Sequence, residues 1–249
     1  MNANLALTRH ALREAFTGRR RIGLALLALA PALLGLGLRR WSEAAAEAET
    51  TFVLFVVGVG LVVPLMALFI GVATLREELM QGTIVHLATR PVSRGQLLAT
   101  RMTGAALATW LLAGIGLTLV FPAIGHLDAE LVGLTWLVTG MASLAYTSLF
   151  ALLGAFVERP ILLGLGYLVG WESIVAGSGL VFRKATVAYW VRSIVDQQGF
   201  VSGGLFAGEI VDPATTTTAV VVLVAIAVVA GLLGTLWFRR REITGSEGG

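Results

Sequence analysis

Six long runs of apolar residues, almost free of charge, dominate this sequence. Each is close to the length that an α-helix needs to cross about 30 Å of hydrocarbon at about 1.5 Å per residue. Hydrophobic residues make up 57% of the chain and charged residues only 13%, which is unusual for a water-soluble domain. We therefore expect an all-α integral membrane protein that forms one domain, residues 1–249, with six transmembrane helices. The predicted spans are 22–38, 51–75, 97–123, 131–157, 161–182 and 218–238.

The distribution of lysine and arginine predicts how these spans are oriented. Thirteen of the 18 basic residues flank the spans on one side of the bilayer, and the other five lie on the opposite side. Basic residues concentrate in the cytoplasmic loops of membrane proteins. We therefore expect both termini and the loop 76–96 to be cytoplasmic. The longest external segment then runs from Arg183 to Thr217.

The cytoplasmic loop after the second span contains two helix stops. Gly82 permits a sharp turn, and Arg90-Pro91 ends any preceding helix because the residue before a proline avoids the helical region. A short helix is therefore expected over residues 83–89. It would present three apolar side chains to the cytoplasm, namely Ile84, Val85 and Leu87. Either a groove on a partner protein or the membrane surface would cover them, and the residues alone leave both alternatives open.

Two further segments have the pattern of amphipathic helices. Near the N-terminus, Leu5, Leu12 and Phe16 fall on one helical face, which predicts an interfacial helix along the cytoplasmic leaflet. A loosely ordered basic tail is the alternative interpretation. Between residues 185 and 198, apolar residues recur at helical spacing and include Trp190, a residue type common in the headgroup layer. This segment predicts a short external helix between spans five and six.

Glu172 is a carboxylate well inside a predicted span. A charge near the centre of the bilayer costs roughly 2.5–3.5 kcal/mol on insertion scales, so this side chain needs a partner or a proton. In one interpretation Glu172 is structural, and it caps a broken helix or pairs with an external basic residue such as Arg183. In the other, it contacts a permeating solute directly.

Several classes of site are not expected from the composition. The chain has no cysteine, and its one lysine, Lys184, follows an arginine rather than the glycine of a phosphate-binding loop. The three histidines lie in three separate segments, so neither a shared metal site nor a catalytic triad is expected. No basic stripe interleaves with aromatic residues in a soluble segment, which argues against nucleic acid as a partner.

The loop after the second span carries an acidic pair, a Gly-Thr step, an apolar helix and an Arg-Pro-x-Ser-Arg stop. In this order, together with six spans, an amphipathic N-terminal segment and Gly170-Trp171-Glu172 in the fifth span, the chain resembles the permease family of ABC-2 type exporters. The loop residues that match the family pattern are Glu77, Glu78, Gly82, Thr83, Arg90, Pro91, Ser93 and Arg94.

This resemblance implies that the segment 83–89 is a coupling helix seated on a separate ABC ATPase subunit. The expected coupling residues are Glu77, Glu78, Gly82, Thr83, Ile84, Val85, Leu87, Arg90 and Pro91. ATP and Mg²⁺ would then bind to that partner, and this chain would be neither an enzyme nor the holder of a cofactor. The resemblance also implies a second permease subunit, identical or similar, and export across the plasma membrane of a prokaryotic cell. It implies an outer gate formed by short external helices, and it does not specify the substrate.

Two other classes of function stay open at this point. A secondary transporter or channel would need intramembrane charges along its path, and Glu172 is the residue that could serve. An intramembrane enzyme would need paired catalytic groups at one depth, and the sequence offers no such pair.

Overall fold

A computed structural model describes residues 20–40, 46–81, 94–175, 181–199 and 212–244. These residues are almost entirely helical and contain no strand, which confirms the expected all-α class for the described part of the chain. The α-helices are α1 (Arg20–Arg39), α2 (Ala46–Thr51), α3 (Val63–Gln81), α4 (Arg94–Thr118), α5 (Val120–Ile124), α6 (Ala129–Phe156), α7 (Pro160–Gly166), α8 (Val187–Gln197) and α9 (Thr216–Thr244). Two segments are π-helical, π1 (Phe52–Val62) and π2 (Tyr167–Val175), and Val181–Ala185 forms a 3₁₀ helix.

Five helical stretches are long and apolar enough to cross a membrane. They are Arg21–Arg39, Glu49–Thr74, Ala99–Ile124, Ala129–Phe156 and Thr216–Gly234. These stretches overlap the first four predicted spans and the last one. Large apolar side chains stay exposed on α1, α6, α7 and α9, where lipid would cover them.

The fifth predicted span, 161–182, has a different structure. Its described helical part consists of α7, with 7 residues, and π2, with 9 residues, which is short of the about 20 residues that a span usually needs. Val181 and Phe182, predicted as the end of this span, belong instead to the 3₁₀ helix. The count of six spans therefore stays a prediction.

α6 is the central helix of the bundle and packs against α3, α4 and α9. It approaches α3 closely because glycines stand at the contact. A Cβ atom on Gly71 would lie 2.8 Å from the carbonyl oxygen of Thr147, and one on Gly154 would lie 2.8 Å from that of Val72. Small residues permit such backbone contact in membranes, where helix association depends on close packing rather than on the hydrophobic effect.

The transition from π1 to α3 accommodates Pro64. The N–H of Val63 donates to the carbonyl of Gly58, five residues earlier, rather than to the residue four earlier. Proline has no N–H, and its ring clashes with the carbonyl four residues before it. Wider turns before Pro64 reduce that conflict while they keep backbone groups paired, which is necessary in lipid. α1 instead contains Pro31 within one α-helix.

The short helix α8 lies beside π2, α6 and the start of α9. Thr186 begins α8, and its hydroxyl accepts a hydrogen bond from the N–H of Tyr189 at 3.2 Å. The predicted external segment 185–198 is therefore helical over Val187–Gln197, and its position at the membrane interface stays a prediction. This arrangement brings the N-terminus of α8 next to Glu172.

Candidate functional site

Glu172 lies in π2 and is buried, with 4% of its surface exposed. Tyr167, five residues earlier in the same segment, donates a hydrogen bond from its hydroxyl to Oε1 of Glu172. Residues five apart lie on different faces of an α-helix, whereas the backbone hydrogen bonds of a π-helix link residues i and i+5. The π-helical form of this segment therefore places both side chains on one face.

The carboxylate of Glu172 accepts four hydrogen bonds from three parts of the chain. Besides Tyr167, the hydroxyl of Tyr146 on α6 donates to Oε2 at 3.0 Å. The backbone N–H groups of Val187 and Ala188 donate to Oε1 at 2.9 Å and to Oε2 at 2.7 Å. Each oxygen therefore has two donors, and the side chain holds π2, α6 and α8 together.

Val187 and Ala188 form the first turn of α8, so Glu172 supplies a carboxylate to a helix N-terminus. The first N–H groups of a helix have no partner within that helix, and the helix dipole places partial positive charge there. The carboxylate of Glu172, which comes from another element, accepts hydrogen bonds from these N–H groups and also places a negative charge next to the positive end of the dipole. Two backbone N–H groups and two tyrosine hydroxyls thus offset the cost of burying the charge. None of these four donors is a charged side chain.

The depth of the cluster follows from the position of Tyr146. This residue stands ten positions before Phe156, the end of α6, which corresponds to about 15 Å along the helix. The contact between Tyr146 and Glu172 therefore lies well inside the length of α6 rather than at its end, and the N-terminus of α8 meets Glu172 at that level.

Arg192 lies one turn further along α8, at four residues from Ala188, and is partly buried. Burial lowers the pKa of its guanidinium, while Tyr146 and Glu172 act in the opposite direction. Its Nη1 atom is buried and has no hydrogen-bond partner within the described residues. Glu172 thus has a cationic neighbour that is not one of its four donors.

Arg183, the basic partner suggested by the sequence, has another position. Its guanidinium carbon lies 5.6 Å from the centre of the Tyr189 ring, which is a cation–π arrangement. Its carbonyl accepts a hydrogen bond from the Thr186 hydroxyl at 2.7 Å. Arg183 therefore supports the start of α8, and the backbone of α8, rather than Arg183, contacts Glu172.

The opposite side of α8 is tied to the segment that leads into α9. The hydroxyl of Tyr189 donates to the carbonyl of Asp212 at 2.9 Å, and the N–H of Ala214 donates to Oγ of Ser193 at 3.2 Å. Lys184 and Asp212 form an exposed ion pair of 3.9 Å. α8 is consequently fixed on one side by Glu172 and on the other by the chain before α9.

A line of hydroxyl groups runs along the buried face of α6, and sequence reasoning missed it. The Thr147 hydroxyl donates to that of Thr109 on α4 at 3.4 Å, whereas the hydroxyls of Thr139 and Ser143 have no partner within the described residues. The repeat of Ser or Thr every four residues was the available signal. The residues of the line are Thr135, Thr139, Ser143 and Thr147, each fully buried.

The tyrosines that hold Glu172 were also missed. Tyr146 and Tyr167 belong to two different predicted spans, and no spacing rule links either of them to Glu172. The packing of α6 against π2 reveals Tyr146, and the π-helical form of π2 reveals Tyr167. Two tyrosines on adjacent predicted spans near an intramembrane carboxylate are the only signal in the sequence.

The other predicted site residues are not brought to this cluster. Glu77 and Glu78 lie in the last turns of α3. The remaining predicted coupling residues lie outside the described residues: Gly82, Thr83, Ile84, Val85, Leu87, Arg90 and Pro91. Leu5, Leu12 and Phe16 of the predicted interfacial helix lie outside them as well. The roles of all these residues stay predictions.

Comparison with known proteins identifies one matching family. A family model described as "ABC-2 family transporter protein" matches residues 19–182, well over half of the chain. The matched region extends from the start of α1 through the helix that carries Glu172. No curated protein sequence shows significant similarity to this chain.

Proposed function

We propose, starting from the fact that this chain belongs to the ABC-2 transporter family, that it is the permease subunit of an ABC exporter. The observation that carries the proposal is the family match over residues 19–182, in a chain with five apolar helices of spanning length. In this assignment the chain forms the translocation path. A separate ABC ATPase subunit binds ATP and Mg²⁺ and supplies the energy.

Six crossings, with both termini in the cytoplasm, are part of the proposal. Besides the five helices of spanning length, α7 and π2 provide the remaining crossing, which is the fifth in chain order. Their Leu162, Val169 and Ile174 are exposed and suit contact with lipid or another membrane helix. The asymmetric distribution of basic residues supports the orientation. The loop 82–93 then faces the cytoplasm, where the ATPase would bind the coupling helix 83–89.

A second permease subunit is needed to complete the path. The centre of the described bundle is filled by side chains of α6, including the fully buried Leu131, Val138 and Phe150. A solute route through one copy would have to displace this packed core, which costs several kcal/mol per side chain. A route between two copies avoids that cost, so we assign the path to a dimer of this chain or to its pair with a similar permease.

The contacts of Glu172 favour a structural role over the alternative of a secondary transporter or channel. A site that moves ions or protons needs an intramembrane group that is open to the path. Both oxygens of Glu172 already accept two hydrogen bonds, and the residue is buried. We assign Glu172 to fastening α8, which would act as a movable element near the outer end of the path.

The proposal is tested by placing a charge in the coupling helix. Leu87→Asp would bring an aspartate into the proposed ATPase groove, and disrupting a well-packed interface contact commonly costs about 2–4 kcal/mol. The ATPase subunit should therefore be lost from pull-downs, and transport should fall with it. Insertion should be unaffected because residue 87 lies outside every predicted span.

Ser246→Asp is the matched control, since it adds the same charge to the C-terminal tail. Normal ATPase association and transport in Leu87→Asp would contradict the coupling assignment. The segment 83–89 would then be interpreted as a membrane-surface turn.

A further inference from the structure

Arg192 and Glu172 have complementary charges and unequal hydrogen bonding. The carboxylate of Glu172 is fully occupied by Tyr146, Tyr167 and the first turn of α8. Arg192 lies on the helix that Glu172 caps, and its buried Nη1 has no hydrogen-bond partner within the described residues. The charge of Glu172 raises the pKa of this guanidinium against the lowering caused by burial. A buried guanidinium N–H without an acceptor is costly, so this arrangement requires an explanation.

The position of Arg192 on α8 suggests what the unused N–H is for. Arg192 lies four residues, about one helical turn, after Ala188, whose backbone N–H donates to Glu172. Helical side chains also lean towards the N-terminus of their own helix. The guanidinium is therefore directed along α8 towards the end that Glu172 caps.

We propose that Arg192 is the standby partner of Glu172: when α8 shifts and carries its first turn away from the carboxylate, the long side chain of Arg192, one turn further along the same helix, reaches Glu172 instead. In the docked state, Glu172 accepts from the N–H groups of Val187 and Ala188. In the undocked state, Arg192 replaces these donors. Arg192 acts through Glu172 and is a positioning residue for the movement of α8.

The chemistry of the two groups fits this exchange. If the first turn of α8 shifted away without a replacement donor, the buried carboxylate would lose two of its four hydrogen bonds in a medium of low dielectric constant. A guanidinium presents parallel N–H groups that match both oxygens of a carboxylate. The carboxylate of Glu172 then has hydrogen-bond donors in both states, so α8 can occupy two positions instead of one.

Cysteine labelling can measure the undocking of α8 in this chain. The chain has no cysteine, and Ile194 on α8 is fully buried, so an Ile194→Cys background reacts with a maleimide only when α8 moves. In this background and without nucleotide, Arg192→Met should lower the labelling rate about tenfold, the effect of losing one hydrogen bond to a charged group. Arg192→Lys should keep most of the parent rate because it retains the charge.

Gln197→Met is the matched control, because Gln197 lies on the same helix and is exposed. It should label at the parent rate. If Arg192→Met labels as fast as the parent or faster, Arg192 does not stabilise the undocked state, and the proposal is overturned.

A second comparison distinguishes two reasons why Arg192→Met could slow labelling. The substitution removes the proposed pairing with Glu172, and it also removes a buried N–H group that has no partner in the docked state. With Glu172→Gln in the background, the charge that Arg192 would receive is gone, so adding Arg192→Met should change the labelling rate by less than about twofold. A persistent tenfold slowing in that background would show that the effect comes from the burial of Arg192 itself, and it would overturn the exchange.

The inference rests on the proposed function only where it links the movement of α8 to export. Labelling of the permease alone decides the exchange between Arg192 and the first turn of α8. Labelling of the complex with its ATPase, with and without ATP, decides whether that movement is coupled to ATP. An Arg192-dependent rate that does not respond to ATP would uphold the exchange and count against the exporter.

Discussion

Replacement of Glu172 by leucine and by glutamine tests whether this residue is a structural fastener. Leucine removes every acceptor, so two buried donors, on Tyr146 and Val187, and two partly buried donors, on Ala188 and Tyr167, lose their partner. Each unsatisfied buried donor costs about 1–3 kcal/mol. Removal of a buried charge returns roughly 2.5–3.5 kcal/mol. With about 2 kcal/mol for each buried donor and about 1 kcal/mol for each partly buried one, the lost hydrogen bonds outweigh the removed charge, and the net expectation for Glu172→Leu is a loss of about 2–4 kcal/mol in the free energy of unfolding.

Glu172→Gln should be milder, because its carbonyl oxygen keeps one acceptor while the charge is removed. We expect a loss below about 2 kcal/mol. In a protein of this length 1 kcal/mol corresponds to about 2–4 °C in melting temperature, so leucine should lower the melting temperature by roughly 4–16 °C and glutamine by less than about 8 °C. Thermal unfolding of the detergent-purified protein, followed by tryptophan fluorescence, measures both shifts.

The position of the damage provides a second readout for the same pair. Loss of the cap should release α8 first, so an Ile194→Cys label should react faster in Glu172→Leu than in Glu172→Gln. Equal melting temperatures and equal labelling rates in the two variants would refute the reasoning, because hydrogen-bond acceptance by Glu172 would then contribute nothing to the fold.

Two further predictions concern packing and topology. A Cβ atom on Gly116 would lie 2.2 Å from the carbonyl oxygen of Ala28. Gly116→Ala should therefore overpack this contact, which costs about 1–3 kcal/mol, and should lower the melting temperature by several degrees. Gly133→Ala is the control and should leave the melting temperature unchanged, because a Cβ atom on Gly133 meets nothing within 4 Å. A cysteine at Ser202 should be labelled from outside intact cells and one at Ser246 should be protected, and the reverse pattern would invert the topology and remove the coupling assignment.

The helices could be predicted from the sequence because apolar side chains in lipid leave little choice of structure. A long uncharged run must satisfy its own backbone, and an α-helix does so locally. The first predicted span, 22–38, lies within the helix Arg20–Arg39, and the last, 218–238, lies within Thr216–Thr244. These elements depend on neighbouring residues alone, so a pattern along the chain is sufficient.

The environment of Glu172 could not be predicted, because its partners are distant in sequence and two of them are backbone groups. A buried carboxylate indicates that a donor exists, and it favours a cation such as Arg183 as the first guess. The donors Tyr146, Val187 and Ala188 instead come from α6 and α8. A backbone N–H is present at every residue except proline, so composition carries no signal for it.

The π-helical segments were also beyond sequence reasoning. Helical periodicity assumes 3.6 residues per turn, and π2 departs from that period at the turn that matters for the site. Tyr167 and Glu172 would be assigned to different faces under the α-helical rule, yet their side chains are hydrogen-bonded. Around Glu172, the local helix type therefore determines which residues meet.

The most direct test of the permease assignment is whether ATP hydrolysis purifies with this chain. The tagged protein should be extracted in mild detergent and carried through affinity and size-exclusion steps, with ATPase activity measured in each fraction. The account predicts that Mg²⁺-dependent ATP hydrolysis follows the chain through both steps and is lost from the Leu87→Asp preparation. A folded chain that elutes without any associated ATPase activity, and whose Leu87→Asp variant behaves identically, would contradict it.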